Sequence, residues 1–250
     1  MPFDLFSFEM LICFSTLLLA YLVFGMAGFG SALIATPVLA MYLPLNMIVP
    51  ILALIDLTAA LINLIKDGKK ADYQEIKWII PLMVVGSLIG AAILLKTRPD
   101  ILVLLLGIFV IFYVVNSLFS KNKNTQFSKV FVVPFSLIGG IFSALFGSGG
   151  FIYAMYLSSR IADKQSFRIT QMTLIGFSTL TRVIIFLVMG VYVNIDILLM
   201  ALAFSPAMLI GIFIGRHITL KISRESFLKI INVIILISGI MLLYRYFFVL

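Results

Sequence analysis

The charge-free stretch from Met10 to Leu43, closed by the polar break Pro44-Leu45-Asn46, constrains the fold more than any other feature. Its 34 residues, drawn as one helix at about 1.5 Å per residue, would reach ~51 Å, well beyond a bilayer hydrocarbon core of about 30 Å. A second charge-free stretch, Phe131 to Ser159, has 29 residues and is also too long for one span. Each carries tightly spaced glycines in its interior: Gly25-Met-Ala-Gly28-Phe-Gly30 in the first, Gly147-Ser-Gly-Gly150 in the second. Glycine at that density ends a helix, so each stretch is expected to form two shorter helices around a glycine turn.

The rest of the chain is apolar in the same way. It is 63% hydrophobic and 11% charged, where soluble domains run at about 45–50% and about 25%. Further spans are expected at Met47–Ile65, Trp78–Leu95, Ile101–Phe119, Ile169–Val193, Ile197–Gly215 and Phe227–Phe248. Little chain is left for a soluble enzyme domain, a nucleic-acid reader or a secreted scaffold. The net charge of +8 sits in the connecting loops, where cytoplasmic basic residues of membrane proteins concentrate. A lone Cys13 forms no internal disulfide. No Lys or Arg precedes the first apolar stretch, so the first helix is expected to be retained rather than cleaved as a signal.

Charge counting decides what the glycine turns do. If each broken stretch crossed the membrane once, the loops would carry 8 cations on one side and 9 on the other. If each is a hairpin that returns to its starting side, the loops 66–77, 121–129, 160–168 and 216–229 share one side with 14 cations, against three on the other. Only the second count shows the positive-inside bias, so hairpins are expected, with both termini outside. An internal repeat agrees. Pro81-x4-Gly86-x3-Gly90 returns as Pro206-x4-Gly211-x3-Gly215, and Phe24-Gly25 returns as Phe146-Gly147. The fold class is therefore an all-α polytopic membrane protein. It has two inverted repeats, 1–120 and 121–250, in one membrane domain. Each repeat is a glycine-broken re-entrant hairpin plus three transmembrane helices, an architecture of secondary transporters.

These residues resemble the TauE/SafE family of membrane permeases. The resemblance rests on Gly25-Met-Ala-Gly-Phe-Gly-Ser-Ala-Leu-Ile-Ala-Thr-Pro37, on its echo Gly147-Ser-Gly-Gly-Phe151, and on the duplicated proline–glycine motif. The second hairpin departs from the first in having Ala154-Met-Tyr156 where Thr36-Pro37 would fall. The resemblance implies transport of a small anion across the plasma membrane, namely a sulfur oxyanion or organosulfonate such as sulfite or sulfoacetate.

The candidate substrate residues follow from the breaks and from two intramembrane charges. Gly25, Gly28, Gly30, Gly147, Gly149 and Gly150 free backbone N–H groups at half-helix N-termini, whose positive ends favour anions. Ser31, Thr36, Ser148 and Tyr153 add hydroxyl donors beside Pro37. The competing reading is that the glycines only let helices cross closely, which is the preferred reading for Gly86, Gly90, Gly211 and Gly215. Pro81 and Pro206 are expected to kink or start their helices at the membrane edge. Asp56 and Arg182 lie inside spans, where each charge costs about 2.5–3.5 kcal/mol on insertion scales. Their separation of 126 residues nearly equals the 125 of the repeat, so they are expected to face one another, as substrate ligands or as a structural ion pair. Thr58, Asn63, Ser178, Thr179 and Thr181 would line that region.

Enzyme readings are weak. A nucleophilic Ser148 needs a base, and the one histidine, His217, lies at a helix end. An aspartyl dyad needs two carboxylates, and the interior offers Asp56 alone. No GxxxxGK[ST] motif, cofactor site or metal cluster stands out. The partners are then a small anion and the lipid bilayer. Proton coupling and a homo-oligomer are left open, and nucleic acid is not a partner. The rival functions are an anion channel and a non-transporting assembly or accessory subunit.

Overall fold

The computed structural model describes residues 8–27, 29–67, 71–119, 127–218, 233, 236–237, 239–244 and 246–248. Along them run α1 (Phe8–Ala27), α2 (Ser31–Leu39), α3 (Leu45–Asp67), α4 (Tyr73–Lys96), α5 (Pro99–Phe119), α6 (Val132–Phe146), α7 (Gly149–Arg160), α8 (Lys164–Val188) and α9 (Ile195–Ile218), with no strand among the described residues. Among the described residues six stretches are long and apolar enough to cross a membrane: Phe8–Met26, Leu45–Ile62, Tyr73–Lys96, Lys129–Phe146, Ile169–Val188 and Ile195–Gly215. Gly28, residues 120–126 of the Ser120–Lys129 linker and residues 227–232, 234–235, 238 and 245 of the expected last span lie outside the described residues.

Both long stretches break where the glycines cluster. Gly30 takes φ 101° as it enters α2, and Gly147 takes φ 72° as it closes α6, a left-handed conformation that side chains with a Cβ resist. The arms are unequal. α1 has 20 residues, a full span, whereas α2 has 9; α6 and α7 have 15 and 12. The two shorter helices expected around each glycine turn are present in both stretches, and Phe8–Met26 and Lys129–Phe146 are each long and apolar enough to cross a membrane.

The second break reverses the chain. Gly149 sits against Gly139 and Ser143, and Tyr153 covers Gly139. Farther along, the rings of Phe135 and Tyr156 are 6.1 Å apart, and the Phe127 N–H donates to Ser159 Oγ at 3.4 Å. α7 thus runs back along α6 and ends where α6 began. α4 and α8 start at that same end. Arg160 pairs with Glu75 in the first turn of α4 at 3.1 Å, and the Asp72 N–H donates to Thr170 Oγ1 at 2.8 Å.

Side-chain caps set several helix starts. Asp72 accepts from the N–H groups of Gln74 and Glu75, and Asp163 accepts from that of Ser166, satisfying donors that a helix start leaves free. The Asp72 cap lets α4 begin five residues before the expected Trp78. Pro81 consequently lies inside α4, and Pro206 lies inside α9, so neither proline starts its helix. α8 ends at Val188 rather than Val193, before Gly190 turns the chain with φ 71°.

Glycines decide which helices pair. Gly86 and Gly90 of α4 meet the backbone of Leu137, Gly140 and Ile141 on α6, in parallel register. Gly211 and Gly215 of α9 meet Leu18, Leu22 and Gly25 on α1, also in parallel. Small residues let helix backbones approach this closely. α3 and α8 run antiparallel across the centre, with Ala60 beside Gly176 and the Tyr192 hydroxyl donating to the Pro50 carbonyl at 3.3 Å. α3 also packs on α9, and α8 on α4. Two helix groups result: α1, α2, α3 and α9 in one, α4, α6, α7 and α8 in the other. Each takes its fourth member from the other half of the sequence.

Gly86→Ala should drive a Cβ into the Leu137 carbonyl, an overpacking cost of about 1–3 kcal/mol. Its thermal unfolding midpoint in detergent should fall clearly below that of wild type. Gly176→Ala, whose Cβ would make an ordinary 3.4 Å contact with Ala60, should melt within a degree or two of wild type.

Candidate functional site

The two glycine turns meet tip to tip at the centre of the bundle. Gly147 faces Ala32, and Gly150 faces Phe29. Thr36 donates to the Phe146 carbonyl at 3.0 Å, satisfying an acceptor near the end of α6. α2 is enclosed by protein, with nearly every residue from Ser31 to Leu39 buried.

Asp56 of α3 and Arg182 of α8 face each other at this junction, each about 2% exposed. Arg182 Nη2 lies 3.5 Å from Asp56 Oδ2. It also donates to Thr179 Oγ1 at 3.1 Å, while Nη1 donates to the Ser143 carbonyl at 3.2 Å. Asp56 Oδ1 accepts from Tyr21 at 2.7 Å and from Ser31 at 3.0 Å. A buried charge needs both a partner and hydrogen bonds, and this network supplies both. Arg182 Nε alone has no protein acceptor.

Arg182 and Asp56 border a cavity of about 20 Å³ that Gly30, Ser31, Gly147, Ser148 and Gly150 also line, room for about one water. The N-termini of α2 and α7 open toward it, so their positive ends join the guanidinium. One wall is apolar, built from Phe24, Phe29, Phe151 and Ile175.

The sequence candidates divide on this geometry. Gly30, Ser31, Asp56, Gly147, Ser148, Gly150 and Arg182 come together at the cavity. Gly25 packs on Ile212 and Gly215, Gly149 on Gly139, and Tyr153 over Gly139, so these three serve helix packing. Thr36 and Pro37 lie in the body of α2, buried away from the lining. Ser178 lines the cavity and bonds Ser143 at 2.8 Å, and Thr179 supports Arg182. Thr58 and Thr181 bond back to Leu54 and Phe177 of their own helices. The Asn63 and His217 side chains lie outside the described residues. Sequence reasoning missed Tyr21, which looks like a core aromatic in an apolar helix, and Ser143, which nothing in the pattern marks.

Away from the cavity, Tyr192 in the turn between α8 and α9 is pushed above the usual phenol range by burial and remains a donor to Pro50. Among the described residues no group of three or more His, Cys, Asp or Glu could hold a metal ion.

Asp56→Ala leaves a buried guanidinium without its counter-charge, a loss of about 3–5 kcal/mol. Thermal unfolding in detergent should show it, and adding Arg182→Met should recover part of the lost stability. A double variant no more stable than Asp56→Ala would mean that the two charges do not stabilise one another.

The chain matches the family model described as Sulfite exporter TauE/SafE over residues 13–242. No curated protein and no solved structure matches it.

Proposed function

We infer the function from one premise: the chain belongs to the sulfite exporter TauE/SafE family, membrane transporters of sulfite-type anions. It is a multi-pass membrane protein. Within that family, our reading is a secondary transporter in which Arg182 and the two half-helix N-termini hold a small sulfur oxyanion or organosulfonate. The observation that carries it is the Arg182–Asp56 pair at 3.5 Å, set between the glycine turns and inside a cavity they line.

The electrostatics favour a proton travelling with the anion. As built, the guanidinium and carboxylate cancel. An anion approaching Arg182 meets Asp56 as a competitor and leaves the site with one excess negative charge. Protonation of Asp56 removes the competition and restores neutrality, while Tyr21 and Ser31 can turn their hydroxyls to the new acid. The planar guanidinium fork suits an oxyanion better than an ammonium would.

The packing also supports a reading of the moving parts. Asp56 belongs to the α1–α2–α3–α9 group and Arg182 to the α4–α6–α7–α8 group, so the site lies between them. Alternating access would rock these two exchanged groups, not the sequence halves 1–120 and 121–250. Antiparallel crossing of the equivalent helices α3 and α8 supports an inverted repeat, with a two-fold axis in the membrane plane. Fourteen loop cations support a cytoplasmic placement of the 66–77 and 160–168 loops in the plasma membrane.

Uptake into proteoliposomes tests the reading, with sulfite, sulfate, sulfoacetate and simple carboxylates compared with and without a pH gradient. Arg182→Ala should lose sulfite binding and transport by at least tenfold, and Arg182→Lys should recover little. Asp56→Asn should bind sulfite but lose the dependence of uptake on pH. Normal transport by Arg182→Ala would reduce the charge to a structural role.

Locking the two groups together should stop transport without touching the site. Cysteines at Ala60 and Gly176 place Cβ atoms 3.4 Å apart, near the usual disulfide range. In a Cys13→Ala background the oxidised pair should be inactive, and reduction should restore uptake. Full activity of the oxidised protein would rule out relative motion at this crossing.

A further inference from the structure

The buried polar atoms without a protein partner are distributed unevenly. They include Ser136 Oγ, Ser148 Oγ, Gln171 Oε1 and Arg182 Nε, and among the described residues all lie between Ser136 and Arg182. None lies on α1, α2 or α3. Native proteins satisfy more than about 90% of buried polar groups, with ordered water where protein does not reach.

Gln171 shows what the imbalance means. It is fully buried, and Nε2 donates to the Gly150 carbonyl at 2.6 Å. That bond fixes the amide orientation and leaves Oε1 as an acceptor facing no donor. Gly150 lines the central cavity. From Gln171 the same face of α8 continues through Ile175 and Ser178 to Arg182, about 16 Å along the helix at ~1.5 Å per residue. In the other direction Thr170 bonds Asp72, next to the bundle end where Arg160 and Glu75 pair.

The repeat-related strip of α3 is different. Subtracting the Asp56–Arg182 separation of 126 takes Gln171, Ile175 and Ser178 to Leu45, Val49 and Leu52, each at most 1% exposed. An apolar strip of that kind excludes water, and hydrophobic constrictions gate by dewetting.

We propose that the two access routes to the central site are unlike. The route along α7 and α8 is a hydrated half-channel whose polar contacts are Gln171 and Ser148, and the route along α3, past Leu45, Val49 and Leu52, is dry. This rests on the transporter reading above. It gives Gln171 a role in the route rather than in the anion site itself. Water on the α7–α8 side connects Arg182 with the bundle end that holds Arg160.

Sided labelling of the full chain tests the asymmetry. In a Cys13→Ala background, Ser158→Cys marks the Arg160 face, because Ser158 is exposed near the end of α7. Ser148→Cys and Gln171→Cys should react with the anionic thiol reagent MTSES from that marked face. They should do so at least tenfold faster than Leu45→Cys or Val49→Cys reacts from either face. Ser148→Cys alters a single atom and carries the test if Gln171→Cys folds poorly. Equal rates at the apolar positions would overturn the proposal, as would inert Ser148→Cys or labelling from the face opposite Ser158→Cys. Reactivity requires no transport. Uniform labelling with sulfite binding lost in Arg182→Ala would therefore reject the half-channel alone. Normal sulfite binding in Arg182→Ala with sided labelling would reject the anion site alone.

Discussion

The ion pair between Asp56 and Arg182 is the interaction around which the rest of the bundle is arranged. Each charge would be costly alone in a membrane interior, so each needs the other and neither can move away without a substitute. Tyr21 and Ser31 on one side, with Thr179 and the Ser143 carbonyl on the other, complete the shell. Those groups come from α1, α2, α8 and α6, so both glycine hairpins must approach the crossing of α3 and α8. The pair lies where the two helix groups meet. A buried pair is weak evidence for stability by itself, and this one joins α3 of one helix group to α8 of the other.

Glycine acts in two physically distinct ways here. At Gly30 and Gly147 it supplies positive φ, which turns the chain at the centre of the bundle. At Gly86, Gly140, Gly211 and Gly215 it supplies the absence of a side chain, which brings backbones into contact. The second use produces the exchange of α4 and α9 between halves. The helix groups defined by packing therefore differ from the two halves of the sequence.

The two halves diverged where chemistry requires it. Asp56 and Arg182 occupy equivalent positions with opposite charge, and Gln171 and Ser178 stand where the first half has Leu45 and Leu52. A fully symmetric site would place two like charges face to face, which desolvation and repulsion forbid.

Sequence alone determined that the chain spans a membrane, that its two longest stretches break at glycines, and that Asp56 and Arg182 form a pair. Those conclusions depend on length, local conformational freedom and the cost of intramembrane charge, which are properties of a residue and its near neighbours. It also separated the packing glycines Gly86 and Gly211 from the turn glycines, because spacing of four marks a helix face. It could not tell that Gly25 and Gly149 pack while Gly30 and Gly147 line the cavity, since both kinds stand within a few residues of one another. Only tertiary structure decided this, together with the roles of Tyr21 and Ser143 and the exchange of α4 and α9. Each depends on which helix lies alongside, and that is settled by the best simultaneous fit of all the faces, not by any one segment.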